Sequence, residues 1–445
     1  MSTPESPIEE HEILDLLTAL VDKSLVAYDE SAGRFDLLET VRQYARDRLV
    51  DSGGGASWRD RHLARFIELA EEAEPHLTGA IAAEWLDRLE ADHDNIRAAL
   101  EWTSCRGVPA SVRLAGSLWR FWEIRGYLSE GRLHLRSAIQ SGTGGASAAE
   151  QARALTGAGL LALDQGDYDE AASFFEECLA LYRGLKDRHG ESASLNNLGI
   201  AAANQGQHER ALRLHEASLA IRRELGNARL IAMSLNNLGA LSSEQADYRQ
   251  AIVYLEESLA ISQRLRNLRS VAKSLNNLGI ALSFLGDHEG ALERLDAAIS
   301  AWAEVGDSVG TARCLANIAN VRIEQGDCQA ARPLIRQSLE IAREIGDRAL
   351  IVTCVDESAL VTAAGGMIER AVTLWGAADC LRSKIGRPRI AGDHERYVRG
   401  NISARAAMGK PSYVKCIAAG RAMTMDEAIE LALEDSTLGP PQRAT

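Results

Sequence analysis

The hexapeptide Ser-Leu-Asn-Asn-Leu-Gly occurs three times, at 194–199, 234–239 and 274–279, so its copies stand 40 residues apart. The same spacing carries Leu195 back to Leu155 and forward to Leu315 and Val355. A period of this length means one small unit stacked on copies of itself, each burying the apolar face that it cannot cover alone. Within the copy at 194–199, Leu195, Leu198, Gly199 and Ala202 fall at i, i+3, i+4 and i+7, a single stripe on an α-helix. A second series in the same register, Gly126, Gly166, Gly206, Ala246, Gly286, Gly326 and Gly366, predicts a tight turn after that helix, where glycine tolerates positive φ. Asp167, Asp247, Asp287 and Asp327 come next and suit the N-cap of a second helix. Ala171, Ala211, Ala251, Ala291, Ala331 and Ala371 follow five residues after the turn, small enough for the two helices to approach closely.

A helix, a glycine turn and an antiparallel helix with this stripe form the tetratricopeptide pattern, which resembles a repeat of about 34 residues. The extra length is assigned to longer second helices or loops. The expected fold is an all-α tetratricopeptide-repeat α-solenoid, with six repeats between 111 and 386 and room for a seventh. Before it, apolar spacing predicts a helix over 13–20, strands at 25–28 and 34–37, and a helix over 38–49. Helix, hairpin, helix is the second half of a winged-helix unit, taken as 1–51. Residues 52–57, Ser-Gly-Gly-Gly-Ala-Ser, are expected to be a flexible joint. A helical adaptor should fill 52–110, broken at Pro75 and at Gly107-Val-Pro109. The register is lost from Arg387-Pro388, so 387–445 reads as a helical cap and tail. There Thr424 to Glu427 forms a capping box that opens a last helix through Leu433, and Ser436 to Thr445 is expected to be disordered.

Three stretches carry a further resemblance: Leu20 to Leu49, Glu84 to Trp102 and Arg113 to Arg132. They resemble bacterial STAND-type regulatory ATPases of the LuxR-AfsR-like kind, in which a P-loop domain precedes a winged helix and tetratricopeptide repeats. The resemblance implies the sensor arm of a signalling or transcription-regulating system, with an ATPase module as a possible partner. Two departures bear on activity. No G-x-x-x-x-G-K-[ST] occurs, since Gly409-Lys410 is followed by Pro411 and lacks the upstream glycine. The family's Met-His-Asp motif falls on Leu37-Leu38-Glu39, so its nucleotide-sensing histidine is replaced by leucine. The chain is expected to begin where the ATPase module ends, to hydrolyse no ATP and to need no cofactor. An ATPase whose nucleotide domain lies on a separate chain is the alternative, and DNA binding by the hairpin a weaker one.

Composition narrows the partner. The net charge of −14 disfavours nucleic acid as a direct ligand, because phosphate binding needs clustered Lys and Arg. Seven cysteines without a C-x-x-C pair suit reduced thiols in the cytoplasm. The acidic N-terminus has no signal-peptide core, and no apolar run is long enough to span a bilayer. Gly157-Ala-Gly159-Leu-Leu-Ala162 matches G-x-G-x-x-A but lies within a helix with no strand before it, which removes the nucleotide reading. The His-Glu dipeptides at His208, His215, His288 and His394 lack metal-ligand spacing and are placed on helix surfaces.

What remains is a protein or peptide ligand. Asn197, Asn237, Asn277 and Asn317 recur once per repeat, one position off the packing stripe, on the flank that faces a concave groove. A column of carboxamides can bind an extended peptide backbone whatever its side chains, as it does in kinesin light chains, whose repeats this motif resembles. Alternatively the column bridges neighbouring helices. Asn196, Asn236 and Asn276 are read as solvated. One turn earlier lie Lys273 and Arg313, able to hold a ligand carboxylate or simply solvated. Ile280, Phe284 and Asn320 extend the same wall.

Overall fold

The computed structural model describes residues 10–30, 33–51, 53–79, 81–106, 108–141, 144–385, 389 and 391–434. Gly107, Arg387-Pro388, the N-terminal heptapeptide and the tail Ser436 to Thr445 lie outside the described residues. The chain divides into two compact units, Met1–Ala158 and Gly159–Thr445.

In the first unit α1 (Glu10–Asp22) leads into a hairpin of β1 (Val26–Asp29) and β2 (Arg34–Leu37), and α2 (Glu39–Asp51) follows. The strands pair antiparallel, Val26 opposite Leu37 and Tyr28 opposite Phe35, whose rings lie 4.8 Å apart. Arg34 forms an ion pair with Asp92 that ties the hairpin to the helices beyond it. Those helices are α3 (Gly55–Ala73), α4 (Ala82–Ala91), α5 (His93–Arg106), α6 (Val108–Arg125), α7 (Leu128–Gln140) and α8 (Ala148–Asp164). The expected joint at 52–57 is shorter than the sequence suggested. Gly55 is buried as the first residue of α3, because a Cβ there would stand 3.3 Å from the Leu49 carbonyl oxygen. Pro75 does break the chain, in a single 3-10 turn at Glu74–His76. Phe121 and Trp122 are fully buried and Trp119 nearly so, with Trp119 packed where a side chain at Gly157 would collide.

The second unit opens with the end of α8 and continues as helix pairs. They are α9 (Tyr168–Leu185), α10 (Arg188–Asn204), α11 (His208–Glu224), α12 (Ala228–Glu244), α13 (Tyr248–Arg264), α14 (Leu268–Phe284), α15 (His288–Val305), α16 (Ser308–Glu324), α17 (Cys328–Ile345), α18 (Arg348–Ala364) and α19 (Ile368–Ile385). Three further helices, α20 (Ala391–Met408), α21 (Lys410–Arg421) and α22 (Met425–Leu433), close the unit. The fold is an all-α tetratricopeptide-repeat solenoid with a small N-terminal hairpin. Among the described residues seven turns of the glycine series separate paired helices, against an expectation of six repeats with room for a seventh.

The source of the 40-residue period differs from the expectation. First and second helices are equally long, 17 or 18 residues from α9 to α19. Both kinds of turn place one residue at positive φ, so the backbone repeats every 20 residues: Gly166, Lys186, Gly206, Gly226, Ala246, Arg266, Gly286, Gly306, Gly326, Gly346 and Gly366. The turn at Gly286 is typical. Its N–H bonds to the Ser283 carbonyl and the Asp287 N–H to the Leu282 carbonyl, satisfying the free end of α14. Asp247, Asp287 and Asp327 then cap the second helices, and Asp187, Asn227, Asn267, Asp307 and Asp347 cap the first ones in the same way.

The packing stripe behaves as its spacing dictates. Leu195, Leu198 and Ala202 are at most 5% exposed, and the alanines from Ala171 to Ala371 are fully buried. The glycine of the hexapeptide is fixed by a close approach: a Cβ at Gly239 would lie 2.5 Å from Leu255, and one at Gly279 2.6 Å from Leu295. At the far end the capping box forms with both of its bonds, between Thr424 and Glu427, and α22 runs to Leu433.

Candidate functional site

The asparagines form a ladder in two hydrogen-bonded runs, Asn197–Asn196–Asn237 and Asn236–Asn277–Asn276–Asn317. Asn237 donates from Nδ2 to Asn196 Oδ1 at 3.0 Å, Asn277 to Asn236 Oδ1 at 3.2 Å, and Asn317 to Asn276 Oδ1 at 2.8 Å. The residues read as solvated are therefore the acceptors: Asn196 is 3% exposed, and Asn236 and Asn276 are half-buried. Within a pair, Asn196 donates to Asn197 Oδ1 and Asn276 to Asn277 Oδ1. Asn197, Asn237, Asn277 and Asn317 are half-buried. Each amide of the last three spends one N–H on its neighbour and keeps the second, so the ladder fixes the side chains without using up their capacity.

A buried charge lies under the ladder. Arg222 is 1% exposed and donates from Nη1 to Ser234 Oγ at 2.7 Å, to the Leu230 carbonyl and to Asn196 Oδ1. Its Nε has no partner, and burial pulls its pKa down to about 10. Beside it, His215 is 2% exposed, not on the surface as the sequence reading had it. It packs on Gly199, in the register where Leu255 meets Gly239, and burial with the neighbouring Arg222 pushes its pKa down to about 4.

Lys273 and Arg313 meet in a cavity of about 470 Å³ lined also by Arg269, Asn236, Asn276, Asn277 and Trp302. The two arginines are held by helix caps. Arg269 pairs with Asp307 at 2.8 Å and Arg313 with Asp347 at 2.9 Å. Burial raises the Asp347 carboxyl, but the bonds from Arg313 and the Leu350 N–H outweigh it and hold it below the usual carboxylate range. Lys273 is exposed and makes no hydrogen bond or ion pair among the described residues. Partial burial in the cavity, and Arg269 and Arg313 nearby, hold its ammonium below the usual range. Trp302 closes one wall, 5% exposed, with the Arg269 guanidinium 5.9 Å from its ring centre.

Ile280, Phe284, Asn317 and Asn320 line a second cavity, of about 220 Å³. Phe284 stacks on Tyr248 with ring centres 5.0 Å apart. Asn320 donates to Glu357 Oε1 at 2.6 Å, and its own Oδ1 is buried without a partner. The far wall is α20, through Arg396 and Arg399, with Arg396 bound to Glu324 at 3.3 Å. Of the candidate residues, Lys273, Asn277 and Arg313 thus line the first cavity and Phe284, Asn317 and Asn320 the second, whereas Asn197 and Asn237 line neither. Arg269, Asp307 and Trp302 were missed, although the cap series Asn227, Asn267, Asp307 and Asp347 keeps the 40-residue spacing and could have pointed to Asp307. Arg396 and Arg399 lie beyond the repeat register and gave no signal. Among the described residues no three His, Cys, Asp or Glu side chains are placed to hold a metal, and no helix is long and apolar enough to cross a membrane.

Comparison with known proteins agrees with this architecture. Tetratricopeptide repeat models match residues 154–188, 190–264 and 270–344. Tetratricopeptide repeats thus occupy this part of the chain. Two curated proteins that carry the provisional name of HTH-type transcriptional regulators, from Mycobacterium bovis and Mycobacterium tuberculosis, are 38% identical over 141 residues. That match covers 30% of this chain and only 15% of theirs. Among solved structures, a Rap protein complexed with Competence and Sporulation Factor superposes with a TM-score of 0.52 at 13% identity, over 82% of this chain and 100% of that one.

Proposed function

We propose that the inner face of the second unit is a peptide-binding groove, and that the chain is a non-enzymatic scaffold serving as the sensor arm of a signalling or transcription-regulating system. The observation that carries this reading is the asparagine ladder. Half-buried carboxamides held in register, each with hydrogen-bonding capacity left over, match the alternating N–H and C=O groups of an extended chain. Pre-ordering by the ladder lowers the cost of immobilising the asparagine side chains when a ligand arrives. The regulatory setting draws on the mycobacterial relatives, whose remaining length this chain does not represent, and on the ligand-bound Rap protein that shares the fold. An ATPase module is accordingly a candidate partner, since the resemblance at Leu20 to Leu49 is to a segment next to one.

The test uses labelled peptides selected on the intact chain from a random display library. Changing Asn237 and Asn277 together to alanine should weaken every selected peptide by about tenfold or more, each lost bond to an uncharged partner contributing about 0.5–1.5 kcal/mol. Circular dichroism checks that the helices remain. Unchanged affinity in a folded double variant would mean that the asparagines only brace the repeats.

A further inference from the structure

The N-terminal helix, hairpin and helix have almost no interior. Between Glu12 and Asp51 the one buried residue among those described is Val26, and α2 buries none. Strand alternation accounts for part of this. Val26, Tyr28, Phe35 and Leu37 share one face of the ribbon, and Ala27, Asp29, Arg34 and Asp36 share the other. Arg34 reaches Asp92, so the polar face is the one turned to the following helices, and the apolar face is turned away. On the flanking helices Ile13 and Leu14 of α1, Leu38 just before α2 and Tyr44 within it are 46–62% exposed.

Every exposed Phe, Tyr or Trp among the described residues lies in this segment or just after it: Tyr28, Phe35, Tyr44 and Trp58. Arginines stack on two of them, Arg48 at 5.3 Å from the Tyr44 ring centre and Arg61 at 4.9 Å from that of Trp58. Aromatic rings with arginine are the composition of an interface centre, not of ordinary free surface. The area agrees. Eleven large apolar residues between Ile13 and Trp58 are 38–62% exposed. A large apolar side chain has roughly 150–250 Å² to cover, so together they leave on the order of 900 Å² open. A lone soluble protein rarely keeps an apolar patch above about 300–600 Å², whereas a stable interface takes about 800 Å² from each partner.

Charge indicates the occupant. α1 carries Glu10, Glu12, Asp15 and Asp22 and no Lys or Arg, while residues 39–65 carry six arginines against four acids. A two-fold axis sets each half of a surface against the other half of its copy. An acidic α1 then meets the arginines of α2 and the start of α3, and does so twice, so the surface is complementary to itself. We propose that this N-terminal face is a homodimer interface, in which the apolar side of the hairpin, α1 and α2 packs on the same side of a second copy, α1 against the other copy's α2. The inference is independent of the peptide groove, whose residues lie in the second unit.

Analytical ultracentrifugation of the full chain tests it. The sedimenting mass should be twice the 48.2 kDa of one chain, with a Kd of about 1 µM or tighter. Leu14→Glu with Tyr44→Glu changes two exposed side chains, so circular dichroism should stay the same while the mass falls to that of one chain. Two charge-reversed chains test the arrangement. One carries Glu12→Lys and Asp15→Lys, the other Arg42→Glu and Arg48→Glu. Each should associate with itself about tenfold or more weakly than the wild type, and mixing the two should restore the dimer, which non-specific apolar association would not do. A wild-type chain that stays monomeric at about 50 µM would overturn the proposal. So would a dimer that survives the Leu14 and Tyr44 changes, which would place the contact elsewhere, or a mixture no tighter than its separate components. A monomeric chain that instead binds a separately expressed nucleotide-binding module, and loses it on the same two changes, would assign the face to that partner and also overturn the proposal.

Discussion

At the scale of single residues, the second unit holds two side chains whose positions cost stability. His215 fills the slot that Leu255 and Leu295 fill in the next two repeats, against the hexapeptide glycine. It is buried beside Arg222, so the folded chain protonates it only near pH 4, whereas an unfolded chain does so near 6.5. Above that value the difference has no effect. As pH falls from about 6.5 toward 4 the unfolded state binds the extra proton, and the fold loses up to about 3 kcal/mol. Replacing His215 by Leu should remove this part of the acid sensitivity, and thermal melts at pH 7 and pH 4.5 check it. A wild-type chain and variant that lose the same stability over that interval would show that His215 is not its source. Neither role was legible in the sequence. His215 sits beside a glutamate in a polar stretch, and only its contact with Gly199 shows that it faces inward. Lys273 and Arg313, by contrast, could be placed together because the period alone puts them on one flank. Asn196 was misread for the reason that applies to His215: a polar residue on a repeat helix looks solvated until the neighbouring repeat supplies its partner.

At the scale of the element, α14 shows why the motif repeats. Its leucines fill the core between repeats, and Gly279 lets α15 approach until Leu295 and the Ala291 carbonyl stand where a Cβ would be, at 2.6 and 3.1 Å. Gly279→Ala therefore sets a helix-propensity gain of about 1 kcal/mol against overpacking of about 1–3 kcal/mol. The backbone oxygen cannot turn away as a side chain could, so we expect a net loss of stability in chemical denaturation. A more stable variant would mean that the two helices separate at little cost. The 40-residue period was readable because the glycines, leucines and capping aspartates recur on it. The underlying 20-residue backbone period was not. Lys186 and Arg266 occupy the second series of positive-φ positions, at 55° and 52°, and neither residue signals a turn. Equal helix lengths, and not longer second helices, follow from that shared turn.

At the scale of the whole molecule, the question is how the second unit ends its stack. A solenoid exposes the core of its last repeat unless a cap covers it, and here α20, α21 and α22 lie against α18 and α19. Ala404, Ala428 and Ile429 join the apolar core of that last repeat, and an ion-pair network adds to it. Asp356 accepts from Arg382 Nε at 2.8 Å and from Arg389 Nε and Nη2 at 3.0 and 2.6 Å. Arg389 also reaches Asp379 at 2.6 Å and lies 3.7 Å from the centre of the Tyr397 ring, whose hydroxyl donates to the same Asp379. The Arg382–Asp356 contact spans 26 residues, as Arg222–Asn196 does, so the last repeat places a carboxylate where the third has a carboxamide. With Asp356 at 12% exposure and its arginines at 12% and 10%, the charges are largely out of water and depend on one another. Asp356→Asn removes the charge while keeping the shape, leaving two guanidiniums with a weak acceptor. Breaking one partner of a buried pair costs about 3–5 kcal/mol, and we expect a loss of that order in chemical denaturation. The loss should be accompanied by faster hydrogen exchange across 391–408, because Tyr397 and Arg396 hang on the same joint. The first repeats of the unit, distant from the cap, should keep their protection. A loss below about 1 kcal/mol, with α20 still protected, would mean that the apolar seat of Trp375 against Tyr397 and Gly400 holds the cap and that the ion pairs only orient it.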